Sequence, residues 1–180
     1  MNDFSVQVRP MTTQDILLVY NWRNDYRIRR QMFNPKFISE EQHVNWFHQA
    51  LKDVNIRLLL VSENANPFGF AKFKIIDNST AAEWGFYVDP KSTKGQGTKL
   101  GKSILNYGFN VLRLQEIFGR VLLANEKSMK FHRKFGFQLH HKGVAAADSF
   151  NKNQDYVTFR LSIHDWYDQK YFLGNVGNIR

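Results

Sequence analysis

Three glycines stand among four lysines in segment 89–105, which reads DPKSTKGQGTKLGKSIL and passes into an apolar-periodic run. Glycine lets a backbone approach an anion closely, and a helix that begins here would present unpaired N–H groups to it. The segment therefore predicts a phosphate site at a helix N-terminus, although such loops are also ordinary solvated connectors. Its glycine spacing differs from that of a Walker loop, and the next strand lacks the terminal acidic residue of a Rossmann fingerprint.

Composition limits the class of partner. A chain of 180 residues with 43% hydrophobic content suits one compact domain spanning 1–180. The net charge of +9 suits a nucleotide, a coenzyme or a nucleic acid. Because the basic residues are scattered and no zinc finger or RNP-type motif accompanies them, we expect a phosphate-bearing small molecule and no nucleic acid.

The absence of cysteine excludes disulfides, thiolate metal sites and covalent cysteine intermediates, and the histidines lack metal-ligand spacing, so no metal is expected. No apolar run approaches the length of a membrane span, and the N-terminus lacks a secretory layout. These features predict a cytoplasmic protein with no membrane partner.

The surrounding elements must place the glycine segment between a strand and a helix. Capping patterns at Thr12 with Asp15, and at Ser39 with Gln42, predict two helices. Apolar or alternating runs at 56–63, 68–76 and 81–88 then predict three strands of an antiparallel meander.

Further elements are predicted downstream of that segment. They are a helix from about Thr98 to Leu112 with Val111 inward, a strand at 116–123, a helix from Asn125 to near Phe135, two closing strands around a polar loop at 142–155, and a short helix from His164.

Two segments resemble the Gcn5-related N-acetyltransferase (GNAT) superfamily. A strand ending in VDP, a loop of the type Arg/Gln-x-x-Gly-x-Gly/Ala and a long helix resemble its acetyl-CoA site. The run NEKSMKFHRKFGF at 125–137 is similar to its second coenzyme segment. The positions in step with that segment are Asn125, Ser128, Phe131, Gly136 and Phe137. The resemblance implies an α/β (α+β) GNAT fold, with a central mixed, mostly antiparallel sheet of six to seven strands flanked by helices, and acetyl-CoA as acetyl donor.

The glycine loop fits that pattern in two registers. With Lys94 in the Arg/Gln position, Gly97 is the first glycine and Lys99 takes the Gly/Ala position; with Gln96 there, Lys99 replaces the first glycine and Gly101 is the last. We prefer the first register, because KGQGT suits an anion-binding turn. Lys99 is anomalous in both, and we expect its side chain to turn outward or reach a phosphate. The predicted coenzyme contacts are Val88, Lys94, Gly95, Gln96, Gly97, Thr98, Lys99, Asn125, Ser128, Phe131 and Lys134.

Acetyl transfer to an amine needs a proton acceptor, an oxyanion donor and a proton for the thiolate. The resemblance implies direct attack in a ternary complex, with the oxyanion held by a backbone N–H near the end of strand 81–88. Glu83 is the candidate base through water, or an exposed strand carboxylate. His132 occupies the place of the usual thiolate-protonating tyrosine, and either donates a proton as imidazolium or merely contacts the coenzyme. Tyr87 and Tyr107 are further donor candidates.

Segment 21–47 resembles the pseudaminic acid biosynthesis N-acetyltransferases. The matching residues are Trp22, Arg23, Asn24, Ile28, Arg29, Met32, Ile38, Ser39, His43, Trp46 and Phe47. This resemblance implies acetylation of the 4-amino group of a UDP-linked 4-amino-4,6-dideoxy sugar, a step towards flagellin glycosylation. The predicted substrate contacts are Arg29, Arg30, Met32, Trp46 and Trp84. The two arginines would grip a diphosphate, or form a solvated helix face.

Other functions stay open at this point. The nearest alternative is a protein N-acetyltransferase acting on N-terminal or lysine amines, and another is a catalytically silent module that binds coenzyme A or nucleic acid. The apolar pairs at 46–47 and 171–172 could serve a homodimer interface or the core.

Overall fold

The protein is described here as a computed structural model over residues 6–76, 80–145 and 154–168. The strands are β1 (Val6–Pro10), β2 (Ile56–Glu63), β3 (Asn66–Ile76), β4 (Ala81–Val88), β5 (Glu116–Leu122), β6 (Gln138–Ala145) and β7 (Gln154–Ser162). The helices are α1 (Ile16–Asn24), α2 (Tyr26–Arg29), α3 (Glu40–Lys52), α4 (Gln96–Asn110) and α5 (Glu126–Lys134), with a 3₁₀ turn at Thr13–Asp15 and a helical segment at 163–168.

The strands form one seven-stranded sheet in the order β1-β2-β3-β4-β5-β7-β6. Every neighbouring pair is antiparallel except β4 and β5, which are parallel. The prediction of a mixed, mostly antiparallel sheet with flanking helices is confirmed. Strand β1 was not predicted, because its alternation of Val6 and Val8 with polar residues ends after four positions at Pro10, too short a pattern to indicate a strand.

Each face of the sheet carries its own core. Leu59 and Val61 of β2 pack in one cluster with Leu100, Ile104 and the rest of the inner side of α4. Leu58 and Leu60 of the same strand pack in a second cluster with residues of α1 and α3. Since successive side chains of a strand point to opposite faces, α4 covers one face, and α1 and α3 cover the other.

The capping patterns position the helices. Ser39 accepts a hydrogen bond from the Gln42 N–H at 3.1 Å, and Gln42 accepts one from the Ser39 N–H at 2.8 Å, so the predicted capping box begins α3. Asp15 accepts hydrogen bonds from the Thr12 N–H at 2.7 Å and from the Arg9 guanidinium at 2.7 and 2.8 Å. These bonds fasten the start of α1 to β1.

Several predicted boundaries differ from the structure. Helix α4 begins at Gln96 and ends at Asn110, and Val111 is 60% exposed instead of inward. Strands β6 and β7 extend into the predicted polar loop, and its central part, 146–153, lies outside the described residues, as do 77–79 and 169–180 with the 171–172 pair. Phe47, of the other apolar pair, is fully buried in the core.

Strands β4 and β5 separate soon after they meet. Their parallel pairing joins Ala81 with Glu116, Ala82 with Ile117 and Glu83 with Phe118, and extends no further within the two strands. The sheet therefore opens in its middle beyond Glu83. Backbone groups of 84–88 along this opening have no partner strand on the β5 side.

Candidate active site

A cleft of about 860 Å³ occupies the opening between β4 and β5. Its walls come from β4, β5, the first turns of α5, and the segment that joins α1 to α3. Gly85 has no atom within 4 Å of the place where a Cβ would lie, so this part of β4 faces open space. The split sheet thus provides a channel that contacts both helical layers.

Eleven of the predicted site residues line this cleft. They are Met32, Trp46, Glu83, Trp84, Tyr87, Val88, Gly97, Asn125, Ser128, Phe131 and His132. The predicted residues that do not border it are Arg29, Arg30, Lys94, Gly95, Gln96, Thr98, Lys99 and Lys134. Tyr107, a residue of α4, packs against the core on that side of the sheet and does not border the cleft either.

The glycine loop ends at the first turn of α4, as predicted. Gly95 is the N-cap with φ of 100°, a conformation that favours glycine, and Gly97 borders the cleft. Neither has an atom within 4 Å of an added Cβ, whereas a Cβ at Gly101 would lie 2.5 Å from the Phe131 ring. Gly101 is therefore a packing residue. Of the three loop glycines, Gly95 and Gly97 face open space, a pairing that neither sequence register used.

Lys99 is not anomalous in the structure. Its ammonium group forms an ion pair with Glu63 at the end of β2. The side chain thus turns away from the cleft, which is the first of the two outcomes expected for it, and ties α4 to the β2–β3 hairpin.

Helix α5 brings the second predicted coenzyme segment to the cleft. Asn125 is its N-cap, and its side-chain oxygen accepts a hydrogen bond from the Ser128 N–H at 3.0 Å. Lys134, near the other end, donates to the Thr98 hydroxyl at 2.9 Å and so joins α5 to the first turn of α4. The N-termini of α4 and α5 therefore lie beside one cleft, and each offers the partial positive charge that suits an anion.

His132 is buried, with 2% of its surface exposed. Its Nε2 accepts a hydrogen bond from the Trp84 indole N–H at 3.1 Å, and its Nδ1 lies 2.8 Å from the Ser128 carbonyl oxygen, which requires the proton on Nδ1. Burial lowers the pKa of His132 to about 4. The ring is therefore neutral at pH 7 with both nitrogens occupied, so the geometry does not support the predicted imidazolium donor.

The other two predicted catalytic residues face the side of the cleft covered by α1 and α3. Glu83 Oε1 accepts a hydrogen bond from Arg120 Nε of β5 at 3.0 Å and lies 2.9 Å from Arg120 Nη2 in an ion pair. The Tyr87 ring packs at a tilt against Phe70, with ring centroids 4.9 Å apart. Burial raises the pKa of the Tyr87 hydroxyl well above its usual value, so it stays protonated.

Five cationic side chains line the cleft, none of them among the predicted site residues. They are Arg23, Arg27, Lys72, Arg120 and Lys127, and Glu83 is the acidic residue among the described lining residues. Lys72 faces Gly85 across β3 and β4, and burial lowers its pKa while Glu83 partly offsets that effect.

Arg29 and Arg30, the predicted diphosphate contacts, lie outside the lining of the cleft. Arg29 donates to the Pro35 carbonyl oxygen at 2.9 Å and braces the segment after α2, and Arg30 lies over the Tyr26 ring, 5.6 Å from its centroid. Asp25, which caps α2 with an extended backbone, interrupts the helix between Arg23 and Arg27. Helical periodicity therefore could not indicate which arginines face the cleft.

His43 of α3 also borders the cleft, although it was not among the predicted substrate contacts. It is 2% exposed, and one ring nitrogen bonds the backbone of Ile16. Its Nε2 and the Nη1 of Arg23 are buried with no hydrogen-bond partner within the described part of the chain. Burial, followed by the nearby Arg23, lowers the pKa of His43, so the ring is neutral and Nε2 can accept a hydrogen bond.

Two further findings concern metals and membranes. Within 6–76, 80–145 and 154–168, no three His, Asp or Glu side chains come together as a metal site. No described helix is long and apolar enough to cross a membrane.

Comparison with known proteins identifies the family. The sequence profile of the acetyltransferase (GNAT) domain matches residues 5–138. The chain belongs to the GNAT acetyltransferase family. It is therefore an acetyl-CoA-dependent N-acetyltransferase, and the resemblance seen in the two coenzyme segments is confirmed at the level of the family.

Relatives with different names match this GNAT chain almost equally well. Acetyltransferase PseH of Campylobacter jejuni is 28% identical over 130 residues, covering 72% of this chain and 81% of that protein. Spermidine N(1)-acetyltransferase of Escherichia coli K12 is 26% identical over 137 residues, covering 75% and 74%.

Solved structures show the same fold. Spermidine N-acetyltransferase from Vibrio cholerae, in complex with CoA and spermine, superposes with a TM-score of 0.80 at 20% identity, covering 90% of this chain and 98% of that one. The PseH structure in complex with acetyl coenzyme A gives 0.67 at 22% identity, covering 88% and 99%.

Proposed function

We propose that this GNAT enzyme acetylates the 4-amino group of a UDP-linked 4-amino-4,6-dideoxy sugar, as the pseudaminic acid biosynthesis N-acetyltransferases do on the way to flagellin glycosylation. The acetyl donor is acetyl-CoA, and the amine attacks the thioester directly in a ternary complex. The observation that carries the proposal is the cationic wall of the cleft.

Most of this positive charge lies away from the coenzyme segments. Lys72 alternates with Phe73 along β3 and so shares the face of Phe70, which packs under α1 and α3. We call Arg23, Arg27, Lys72, Glu83 and Arg120 the acceptor side, because they face away from α4 and its glycine loop.

The acceptor side favours an anionic acceptor. Four cations and one carboxylate line it, with Arg120 paired to Glu83 and Arg27 paired to Asp25. Arg23 and Lys72 form no ion pair with any described residue, so their charges remain available to an acceptor. A diphosphate gains charge-assisted hydrogen bonds from such a wall. Spermidine is a polycation and would need carboxylates in the same place, so the similarity to spermidine acetyltransferases supports the shared acetyl-CoA chemistry rather than a shared acceptor.

Residues that border the cleft can bind the acceptor, stabilise the oxyanion and transfer protons. Nη1 of Arg23 and Nε2 of His43 have no hydrogen-bond partner among the described residues, so the first can donate to the acceptor and the second can accept from it. The backbone of 84–88 borders the cleft and can supply the oxyanion donor. Glu83, whose Oε1 is bound by Arg120, is the proposed proton acceptor for the amine, through water. Tyr87 borders the cleft and is the remaining candidate donor for the thiolate, and its raised pKa makes it a weak acid for that step.

The test compares acceptors at matched concentration. The purified protein with acetyl-CoA is given the UDP-linked amino sugar, spermidine, a panel of peptides with free amines, or no acceptor, and release of the CoA thiol is followed. We expect turnover with the sugar at least tenfold above the other acceptors. Higher kcat/KM for spermidine or for a peptide would refute the proposal.

A pair of lysine variants tests whether the cationic wall of the cleft binds the acceptor. Lys72→Met removes a cleft cation with little change in shape, and Lys74→Met is the matched control on the same strand outside the cleft. Loss of one charge-assisted contact should raise the KM for the sugar by about tenfold in Lys72→Met. The KM of Lys74→Met should stay within about twofold of the parent. Equal effects at both positions would mean that net charge, and not the acceptor side, governs binding.

A further inference from the structure

The side chains of Trp84 and His132 meet over the point where β4 and β5 stop pairing. The Trp84 indole N–H donates to His132 Nε2 at 3.1 Å, and this bond is buried. Trp84 directly follows Glu83, the last β4 residue paired with β5, and Gly119 directly follows its partner Phe118. The hydrogen bond therefore spans the apex of the cleft.

Gly119 provides the room for this bond. A Cβ at position 119 would lie 2.3 Å from His132 Nε2 and 2.7 Å from Trp84 Nε1, so any larger residue must displace one of the rings. Phe159 of β7, which pairs with Gly119, stacks on the His132 ring with centroids 5.2 Å apart. His132 is thus supported by β7 and reaches across β5 to β4.

His132 also belongs to the helix that forms one wall of the cleft. Its Nδ1–H bonds the Ser128 carbonyl oxygen one turn earlier, and Ser128 and Phe131 border the cleft. The facing wall is β4 over 84–88, which has no backbone bond to β5. At the apex, this hydrogen bond directly links the two walls.

We infer that the hydrogen bond between Trp84 and His132 sets the separation of the β4 and α5 walls for the coenzyme, which makes His132 a positioning residue and not a proton donor. The inference rests on the proposed placement of acetyl-CoA in this cleft, and it does not depend on which amine is the acceptor. Without the bond, α5 can shift against β4, so acetyl-CoA binds more weakly and its thioester is held less well.

The test uses two variants, one that removes the hydrogen bond between Trp84 and His132 and one that preserves it. Trp84→Phe removes the donor and keeps an aromatic ring, whereas His132→Gln keeps an acceptor near the place of Nε2 and cannot act as an imidazolium. Calorimetry measures acetyl-CoA binding without any acceptor, and steady-state assays give kcat and KM. Trp166→Phe is the control, because Trp166 is a buried tryptophan packed on Phe109 and Phe135, outside the cleft.

We expect Trp84→Phe to weaken acetyl-CoA binding by about tenfold, in keeping with the loss of one buried hydrogen bond. His132→Gln should bind within about threefold of the parent and keep most of kcat, and Trp166→Phe should bind like the parent. Circular dichroism checks the fold of each variant. If Trp84→Phe does not fold, Gly119→Ala, which forces the two rings apart, should show the same loss of binding.

Two results would overturn the inference. One is a hundredfold or greater loss of kcat in His132→Gln with acetyl-CoA binding intact in Trp84→Phe, because that pattern belongs to a proton donor. The other is parental acetyl-CoA affinity in both Trp84→Phe and Gly119→Ala. Since calorimetry needs no acceptor, failure of the nucleotide-sugar proposal would leave this measurement unaffected.

Discussion

Mild acid should destabilise this protein through His132. Burial lowers the pKa of the folded-state ring from 6.5 to about 4, and the unfolded chain keeps the ordinary value. Between these two pH values the unfolded state binds the proton and the folded state does not, so stability is complete above about pH 6.5 and is lost as the pH falls towards 4. A shift of one pKa unit corresponds to about 1.4 kcal/mol, so the loss from this group is roughly 3 kcal/mol.

The His132→Gln variant isolates this contribution. It removes the titrating ring, and the other acid-sensitive groups, including His43 and Asp15, are common to both proteins. Urea unfolding followed by circular dichroism at pH 7, 6, 5 and 4 gives the free energy of unfolding of each protein. We expect the parent to lose about 3 kcal/mol more than the variant between pH 7 and 4.

A constant difference between parent and variant over that range would refute the view of His132 as a buried neutral ring. A difference that favours the parent increasingly as the pH falls would mean a raised pKa. That result would restore the imidazolium proposed from the sequence.

Three further outcomes follow from the geometry. Gly95→Ala should lower the free energy of unfolding by about 1 kcal/mol, because alanine is strained at φ of 100°. Gly97→Ala should change the free energy of unfolding by less than about 0.5 kcal/mol but weaken acetyl-CoA binding at the edge of the cleft. Thermal melts measure the stability of each variant, and calorimetry measures its acetyl-CoA binding. Lys99→Ala should keep the acetyl-CoA KM within about twofold, because the ammonium group pairs with Glu63; a fivefold rise would place Lys99 on the coenzyme. Glu83→Gln should lower kcat by about a hundredfold with little change in either KM, and an unchanged kcat would exclude it as the base.

Local patterns were sufficient for most of the fold. The capping box at Ser39 and Gln42 and the alternation along β3 are properties of adjacent residues, and the structure confirms the elements they predict. The two coenzyme segments were likewise recognisable, because Asn125 and Gly95 are the N-caps of the helices that follow them.

The positions of the acceptor-side residues could not be predicted from local sequence patterns. Which arginine faces the cleft depends on the break at Asp25, and the exposure of Lys72 to it depends on Gly85 lying opposite in the neighbouring strand. The burial of His132 likewise depends on Gly119, a residue thirteen positions earlier with no local signal. Such effects come from strand register and close approach between distant segments, which a single sequence does not specify.

The brief pairing of β4 and β5 has a consequence for the lifetime of the protein. The sheet consists of a four-stranded and a three-stranded part joined in the middle by three residue pairs, so local opening there should require less free energy than elsewhere in the sheet. A ligand that contacts both parts opposes that opening. At a hundred times its Kd, it would add about 2.7 kcal/mol to the folded state. Resistance of this enzyme to proteolysis should therefore rise and fall with the supply of acetyl-CoA.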